Sequence, residues 1–257
     1  MPERHAIEIE DGQRVVADHH KADTEAGVET DADEDLWIVF CHGFVSDRTG
    51  SYEYRAERAT TEGFDAVRFD FRGCGDSDGA FREQTLTSKL ADLRGVLEYF
   101  DPPAIVLFGS SFGAKVAFHA AADERLEAIV GRAPVTYNRT FDDTRETVAE
   151  EGGVALTERH TIDHRFFDDL DRHPFSDAVS AVDVPVCLFH GGGDDSVPVG
   201  DSFEAAETLA RRTDVCLQIL RDEGHRFSRG AEDRMQDQLF EWLAASGLHP
   251  RRSRNYG

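Results

Sequence analysis

One pentapeptide limits what this chain can fold into more than any other feature: Gly109-Ser110-Ser111-Phe112-Gly113. It stands between an apolar run, Ala104 to Phe108, and an alanine-rich run from Ala114 to Ala122. The first predicts a buried strand and the second a helix, which leaves room for only a tight turn between them. The small glycines permit a bend that a side chain would obstruct. A serine held at the apex has its hydroxyl lifted clear of the backbone, where a nucleophile belongs. A serine nucleophile needs a base, and the base needs an acid to orient it, so two partners should follow.

Val184 to Phe189 is short, apolar and β-branched, and predicts a buried strand running into His190-Gly191-Gly192-Gly193-Asp194-Asp195-Ser196-Val197-Pro198. Asp194 and Asp195 both lie in that loop, on the rim where a parallel sheet would also place the nucleophile. Val215 to Leu220 predicts a further strand, followed by Arg221-Asp222-Glu223-Gly224-His225. Histidine suits the base because its unperturbed pKa is about 6.5. The acid would accept the second ring N–H, fix the tautomer and stabilise the imidazolium. An oxyanion hole needs two backbone N–H donors. One should belong to Phe112, next to the nucleophile. The other should be Phe44, in His42-Gly43-Phe44, after the apolar strand Leu36 to Cys41.

With these residues in place the chain resembles the α/β-hydrolases, in which the order is Ser, acid, His. Within them it is similar to the small esterases and the serine-aminopeptidase-like hydrolases. The matching stretches are HGF at 42–44, DFRGCGDSDG at 70–79, GSSFG at 109–113, HGGGDDSVP at 190–198 and EGH at 223–225. Together they cover the chain from about Leu36 to Leu243. The run GDSDGAFREQT from Gly75 to Thr85 resembles the cinnamoyl and feruloyl esterase branch, which carries an insertion after the sixth strand. The resemblance implies ester hydrolysis by Ser111, Asp194 and His225, with Asp194 rather than Asp195 as the acid and no cofactor or metal. Ser110 and Cys74 stand where many relatives have histidine. Neither is a triad position, so these departures bear on the pocket wall.

The expected class is α/β: a mostly parallel, eight-stranded sheet with helices on both faces. Strands are expected near 5–10, 13–19, 36–41, 65–70, 104–108, 127–131, 184–189 and 215–220, the first two joined by an Asp11-Gly12 hairpin turn. Helices are expected near 51–62, 86–100, 112–123, 199–212 and 230–245. Residues 1–134 and 184–257 form the core in this reading, and 135–183 a small helical cap over the active site. The cap carries Tyr137, Phe141, Phe166, Phe167 and Phe175, which would either line the acyl or alcohol pocket or pin the cap to the core.

The expected function is a serine hydrolase acting on a small-to-medium carboxylic ester. A peptidase or amidase, or a thioesterase or acyltransferase, would use the same triad. A non-catalytic ligand-binding protein on this scaffold is the alternative of another class. The formal net charge of −23 disfavours nucleic acid and anionic membranes as partners, which leaves a small-molecule ester. No apolar run reaches membrane-spanning length, and MPERHAIEIE lacks a signal-peptide core, so the expected location is cytoplasmic. Four cysteines without a secretory signal make no disulfide framework. Cys74 is expected in a loop. The acidic run Asp31 to Asp35 and the basic tail Arg251 to Arg254 are expected to be solvated. His19 and His20 are neighbours on one strand, point to opposite faces and do not make a zinc pair.

Three lysines stand against 25 arginines, and 51 acidic residues against 28 basic ones. Self-repulsion on that scale destabilises the compact state unless salt screens it. The balance points to a halophilic, salt-rich setting. Stability in a denaturant series should rise steeply with molar KCl, and a flat response would remove this reading.

Overall fold

The computed structural model describes residues 1–9, 12–22 and 35–250. The chain opens with an antiparallel hairpin, β1 (Glu3–Glu8) and β2 (Arg14–His20), in which Glu3 faces His19 and His5 faces Ala17. Asp11, half of the expected turn, lies outside the described residues, as do positions 31–34 of the acidic run and the basic tail. There follow β3 (Leu36–Cys41), α1 (Ser51–Thr61), β4 (Asp65–Phe69), α2 (Leu86–Phe100), β5 (Ala104–Ser110), α3 (Phe112–His119) and β6 (Leu126–Arg132). An insertion then contributes α4 (Asp142–Glu151), the two-residue strands β7 (Val154–Ala155) and β8 (Thr161–Ile162), α5 (His164–Leu170) and α6 (Phe175–Ala181). The core resumes with β9 (Val186–Gly191), α7 (Val199–Leu209), β10 (Val215–Leu220) and α8 (Arg229–Ala245).

Eight strands form one sheet in the order β1-β2-β4-β3-β5-β6-β9-β10. The pairs β1–β2 and β2–β4 are antiparallel, and every pairing from β4 onward is parallel. The C-terminal ends of β3, β5, β6, β9 and β10 therefore share one edge, where ligands bind in open α/β sheets. The insertion follows β6, the sixth strand, at that edge.

Alternation along the central strands sorts their side chains into two cores. Ile38, Phe40, Val106, Phe108, Cys187 and Phe189 meet Tyr52 and Ala56 of α1 and Met235 and Leu239 of α8. Val39, Cys41, Ile105, Leu107, Val186 and Leu188 meet Val96 of α2, Val116 of α3 and Leu209 of α7 on the other face. Strands apolar at successive positions have both faces covered, as parallel sheets require. Local signals set the helix ends. Thr85 Oγ1 accepts the Ser88 N–H at 3.0 Å while Ser88 Oγ accepts the Thr85 N–H at 2.9 Å, a reciprocal cap that starts α2. The helix ends at Asp101, which turns left-handed (φ 45°) just before Pro102. α3 stops at His119, short of the expected 123, and β9 runs two residues further than expected, so His190 and Gly191 are strand rather than loop. Among the described residues no helix is long and apolar enough to cross a membrane.

A buried ion network fixes the segment after β3. Arg48, 1% exposed, donates from Nε to Asp18 at 3.0 Å, from Nη2 to Asp76 at 2.9 Å and from its backbone N–H to Asp70 at 2.7 Å. A further Arg48 nitrogen contacts the second Asp70 oxygen. Asp70 also accepts the Asp76 N–H at 2.9 Å, which closes the 70–79 turn onto the same network. Charges this deep persist only when fully paired, and here each carboxylate has several donors. Cys74 lies in a loop, as expected, and is buried there, 3% exposed, receiving the Gln84 amide at 3.0 Å. Burial raises its thiol pKa, which leaves it unreactive.

α3 lies so close to the sheet that side chains are excluded at the contact. A Cβ on Gly113 would meet the Cys41 carbonyl oxygen, and one on Gly109 would meet the Ala114 backbone. Neither neighbour can swing away. Gly113→Ala should destabilise the fold by about 3 kcal/mol or more. Gly200→Ala, in α7 with open space around it, should be neutral or stabilising by up to about 1 kcal/mol. Thermal melts of the two variants check the contrast.

Candidate active site

Ser111 sits between β5 and α3 with φ 52° and ψ −119°, a conformation L-residues rarely adopt. Its N–H is bonded to the Arg132 carbonyl at 2.9 Å and its own carbonyl accepts the Val135 N–H at 3.0 Å, so β6 holds the strained residue from the side. Strain of this kind, of order 1–3 kcal/mol, survives where the surroundings over-determine it.

Asp194 and His225 meet in the loops after β9 and β10. Asp194 Oδ2 lies 2.8 Å from His225 Nδ1. A carboxylate is an acceptor, so Nδ1 carries the proton and Nε2 is left as the basic nitrogen. Asp194 Oδ1 accepts the backbone N–H groups of Ser196 and Val197, each at 2.9 Å. Burial pushes its pKa upward, but the bonds from His190, His225, Val197 and Ser196 outweigh it and hold the carboxyl well below its usual range. Asp195 points elsewhere; its one side-chain bond is from Ser196 Oγ at 3.2 Å.

Ser111 and His225 line the same open cleft, of about 740 Å³. Among the described residues no hydrogen bond yet joins the Ser111 hydroxyl to His225, and such bonds commonly tighten only with substrate in place. Phe44 lines this cleft as well. A Cβ on Gly43 would be 3.6 Å from the Ser111 Cβ, so the chain entering Phe44 runs beside the nucleophile. Phe112 opens α3, and its N–H is one of the first-turn amides that no helical carbonyl satisfies. His42 holds the Phe44 segment in place. It accepts the Phe71 N–H on Nε2 at 3.1 Å and so donates from Nδ1 to the Gly43 carbonyl at 2.7 Å. Burial, helped by Lys89, takes its pKa down to about 3, so this ring stays neutral.

Several residues in and behind the cleft wall have roles that the sequence does not mark. His190, fully buried, approaches Asp194 Oδ2 and the Val197 carbonyl, each at 3.1 Å from Nε2, with Ser202 Oγ 2.7 Å from Nδ1. Two acceptors on Nε2 place a proton there, so His190 is a second imidazole donor to Asp194. Arg55 of α1 grips Glu232 of α8 through Nε at 3.1 Å and Nη2 at 2.6 Å, and donates from Nη1 to Ser110 Oγ at 3.2 Å. Arg132 donates to the same Glu232 at 3.1 Å. Ser110 thus belongs to the cleft wall.

No residue of 135–183 lines the cleft; its walls come from 43–55, 110–111, Arg132 and 225–232. The insertion packs instead on the far side of the two phenylalanines flanking the nucleophile. Phe166 lies 4.9 Å from Phe44 and 5.7 Å from Phe112, and Phe141 lies 5.6 and 5.8 Å from them. Phe175 packs on Phe118 and Tyr137, and Phe167 on Phe166. These rings pin the insertion to the core. Away from the cleft, Glu3, His5 and His19 bring ligand atoms within 4.8 Å of one another on the outer hairpin, through strand pairing rather than sequence spacing.

Residues 51–246 match the model of the prolyl oligopeptidase family. The chain belongs to that family. A similar curated protein is the mitochondrial palmitoyl-protein thioesterase ABHD10 of Bos taurus, 26% identical over 210 residues that make up 76% of this chain and 68% of that protein. Among solved structures, mouse alpha/beta hydrolase domain-containing protein 10 superposes with a TM-score of 0.77 at 21% identity, over 95% of this chain and 99% of that one. Est1E of Butyrivibrio proteoclasticus, solved with ferulic acid, gives 0.81 at 19% identity over 94% and 98%. The fold is that of the α/β-hydrolases, and the prolyl oligopeptidase match covers the elbow and both loops that carry Asp194 and His225.

A carboxylate whose pKa is depressed on folding stabilises above its unfolded value, about 4, and that stability is lost as pH falls toward the folded value. Asp194→Asn should therefore flatten part of the acid limb of thermal stability between about pH 5 and 2. An acid limb identical to that of the wild type would show that the Asp194 bonds contribute nothing.

Proposed function

We propose that this chain is a serine hydrolase that opens a carboxylic ester or thioester through an acyl-enzyme. The observation that carries the reading is the Asp194–His225 pair, 2.8 Å apart, on the cleft that also holds the strained Ser111. In the proposed reaction Ser111 Oγ attacks the carbonyl carbon while His225 Nε2 takes its proton. The Phe44 and Phe112 N–H groups hold the oxyanion, whose charge exists only along the reaction path. The carbonyl re-forms, the bond to the alcohol or thiol breaks, and His225 returns the proton to the leaving group. Water then attacks the acyl-enzyme with the same base and restores Ser111.

The similarity to the palmitoyl-protein thioesterase ABHD10 favours keeping thioesters beside oxygen esters. The family's peptidase name adds an amide reading that the same triad serves. A panel of one acyl group presented as aryl ester, thioester and anilide separates the three by relative kcat/KM.

A fluorophosphonate probe should label the wild type, and Ser111→Ala should abolish labelling and lower kcat by about 10⁶. Asp194→Asn should leave labelling detectable but slow turnover by about 10⁴, because the imidazole loses its required tautomer. A folded wild type that resists the probe in both low and molar KCl would overturn the hydrolase reading and leave a binding role on this scaffold.

A further inference from the structure

The cleft inverts the charge of the molecule that surrounds it. Its walls carry Arg55, Arg132, Arg226 and Arg229 against Asp47 and Glu232, in a chain of net charge −23. Two of these arginines are accounted for elsewhere. Arg226 is exposed, and Arg229 lies 3.4 Å over the Tyr54 ring and pairs with Asp233. Asp47 is turned to its own loop, where it accepts from the Thr49 N–H and hydroxyl at 2.8 and 2.5 Å.

Arg55 and Arg132 are different, because both are buried and both bond to Glu232. Arg55, 3% exposed, has every nitrogen engaged: two on Glu232 and one on Ser110. Arg132, 7% exposed, gives Glu232 only its Nε. Its guanidinium lies 4.2 Å over the Phe227 ring, which fixes its plane. Among the described residues Nη1 and Nη2 of Arg132 have no acceptor. These free donors belong to the last residue of β6, in register with Ser110, and the Arg132 carbonyl holds the N–H of the nucleophile at 2.9 Å. Glu223 also lies within electrostatic reach of Arg132, but its oxygens accept from the Ser228 N–H and hydroxyl, each at 2.7 Å, so the two Nη donors stand without a hydrogen-bond acceptor in a shielded place. Arginine does not relieve this by losing its proton under ordinary conditions.

We propose that Arg132, backed by Arg55, is an anion subsite of this cleft and that the substrate is an ester or thioester bearing a carboxylate close to its scissile carbonyl. A flat two-donor fork matches a single carboxylate in bidentate contact. The inference rests on the hydrolase reading for the word substrate, but the anion site itself does not.

The test compares charged and neutral partners at fixed ionic strength. 4-Acetoxybenzoate and its methyl ester place the carboxylate on the leaving group. The 4-nitrophenyl ester of 4-carboxybenzoic acid and its methyl-capped form place it on the acyl group. The wild type should prefer the anion in kcat/KM by about tenfold to a hundredfold in one series, the loss typical of a charge-assisted pair. Arg132→Gln should collapse that ratio. Because the variant could misfold, the wild type is also titrated with benzoate, benzamide and inorganic phosphate, read as thermal shifts. A shift by benzoate alone supports the subsite without any turnover. If benzoate binds and no ester is cleaved, the hydrolase reading falls and the anion site stands. If neutral esters are cleaved at least as well in both series and benzoate gives no shift, the subsite is overturned and the hydrolase stands. A phosphate shift larger than that of benzoate overturns the carboxylate assignment.

Discussion

The approach of α3 to the sheet is the constraint on which the remaining geometry depends. Gly113 rests against the Cys41 carbonyl and Gly109 against Ala114, so the end of β3, the end of β5 and the start of α3 are locked together without intervening side chains. Within that lock Ser111 has no relaxed conformation, and its φ of 52° follows from the backbone on either side. Ala133, one residue past β6, is also left-handed at φ 44° and donates to the Phe189 carbonyl at 2.7 Å. Two strained non-glycine residues therefore flank the cleft floor, each anchored to a neighbouring strand. Strain kept in place by rigid strands is what allows a hydroxyl to be presented without being buried.

Charge is handled in three different ways around this floor. The Arg48 network under β3 is saturated: its guanidinium bridges Asp18, Asp70 and Asp76, and its task is to hold a loop. Asp194 is saturated from the other side, with two imidazoles and two backbone N–H groups on one carboxylate. That acid is an electrostatic anchor from which the ring of His225 is aimed. Among the described residues that line the cleft, the Arg55–Glu232–Arg132 group is left open, with the two Nη donors of Arg132 lacking an acceptor at the cleft wall. Since a buried donor left without an acceptor costs more than a satisfied one, an open group of this kind is a stronger pointer to a ligand than any of the saturated ones.

Much of the fold was legible in the sequence because its signals are local. Strands apolar at successive positions and the glycines of 109–113 each act within a few residues. The Ser111, Asp194 and His225 candidates share this property, since each follows a recognisable strand. The choice of Asp194 over Asp195 rests on pattern; in the structure Asp194 Oδ2 lies 2.8 Å from His225 Nδ1. What was not legible depends on residues far apart in the chain. Arg55 and Glu232 are 177 positions apart, and Arg132 and Glu232 are 100. Their pairing is a product of α1 and α8 covering the same face of the sheet. His190 was hidden by an apparent loop that is in fact the end of β9. The burial of Cys74 within its loop is likewise set at a distance, by a turn tied down by Arg48 and Gln84.

The insertion shows how a segment outside the cleft can still bear on it. Phe44 and Phe112 each face two ways. Their side chains form one aromatic cluster with Phe81, Phe141 and Phe166, while in the proposed reaction their N–H groups face the cleft. The insertion is in turn tied to the core by ion pairs, Arg82 to Asp163 at 2.8 Å and Arg139 to Asp201 at 2.7 Å, and by Asp169 accepting from Thr87 at 2.6 Å. Close-packed rings transmit displacement because there is no free volume to absorb it. A shift of α5 would move Phe166, and through it the backbone segments at Phe44 and Phe112, which in the proposed reaction hold the oxyanion. In that reaction the insertion would bear on the site through packing, its aromatics being buried against these two rings rather than set in the cleft wall.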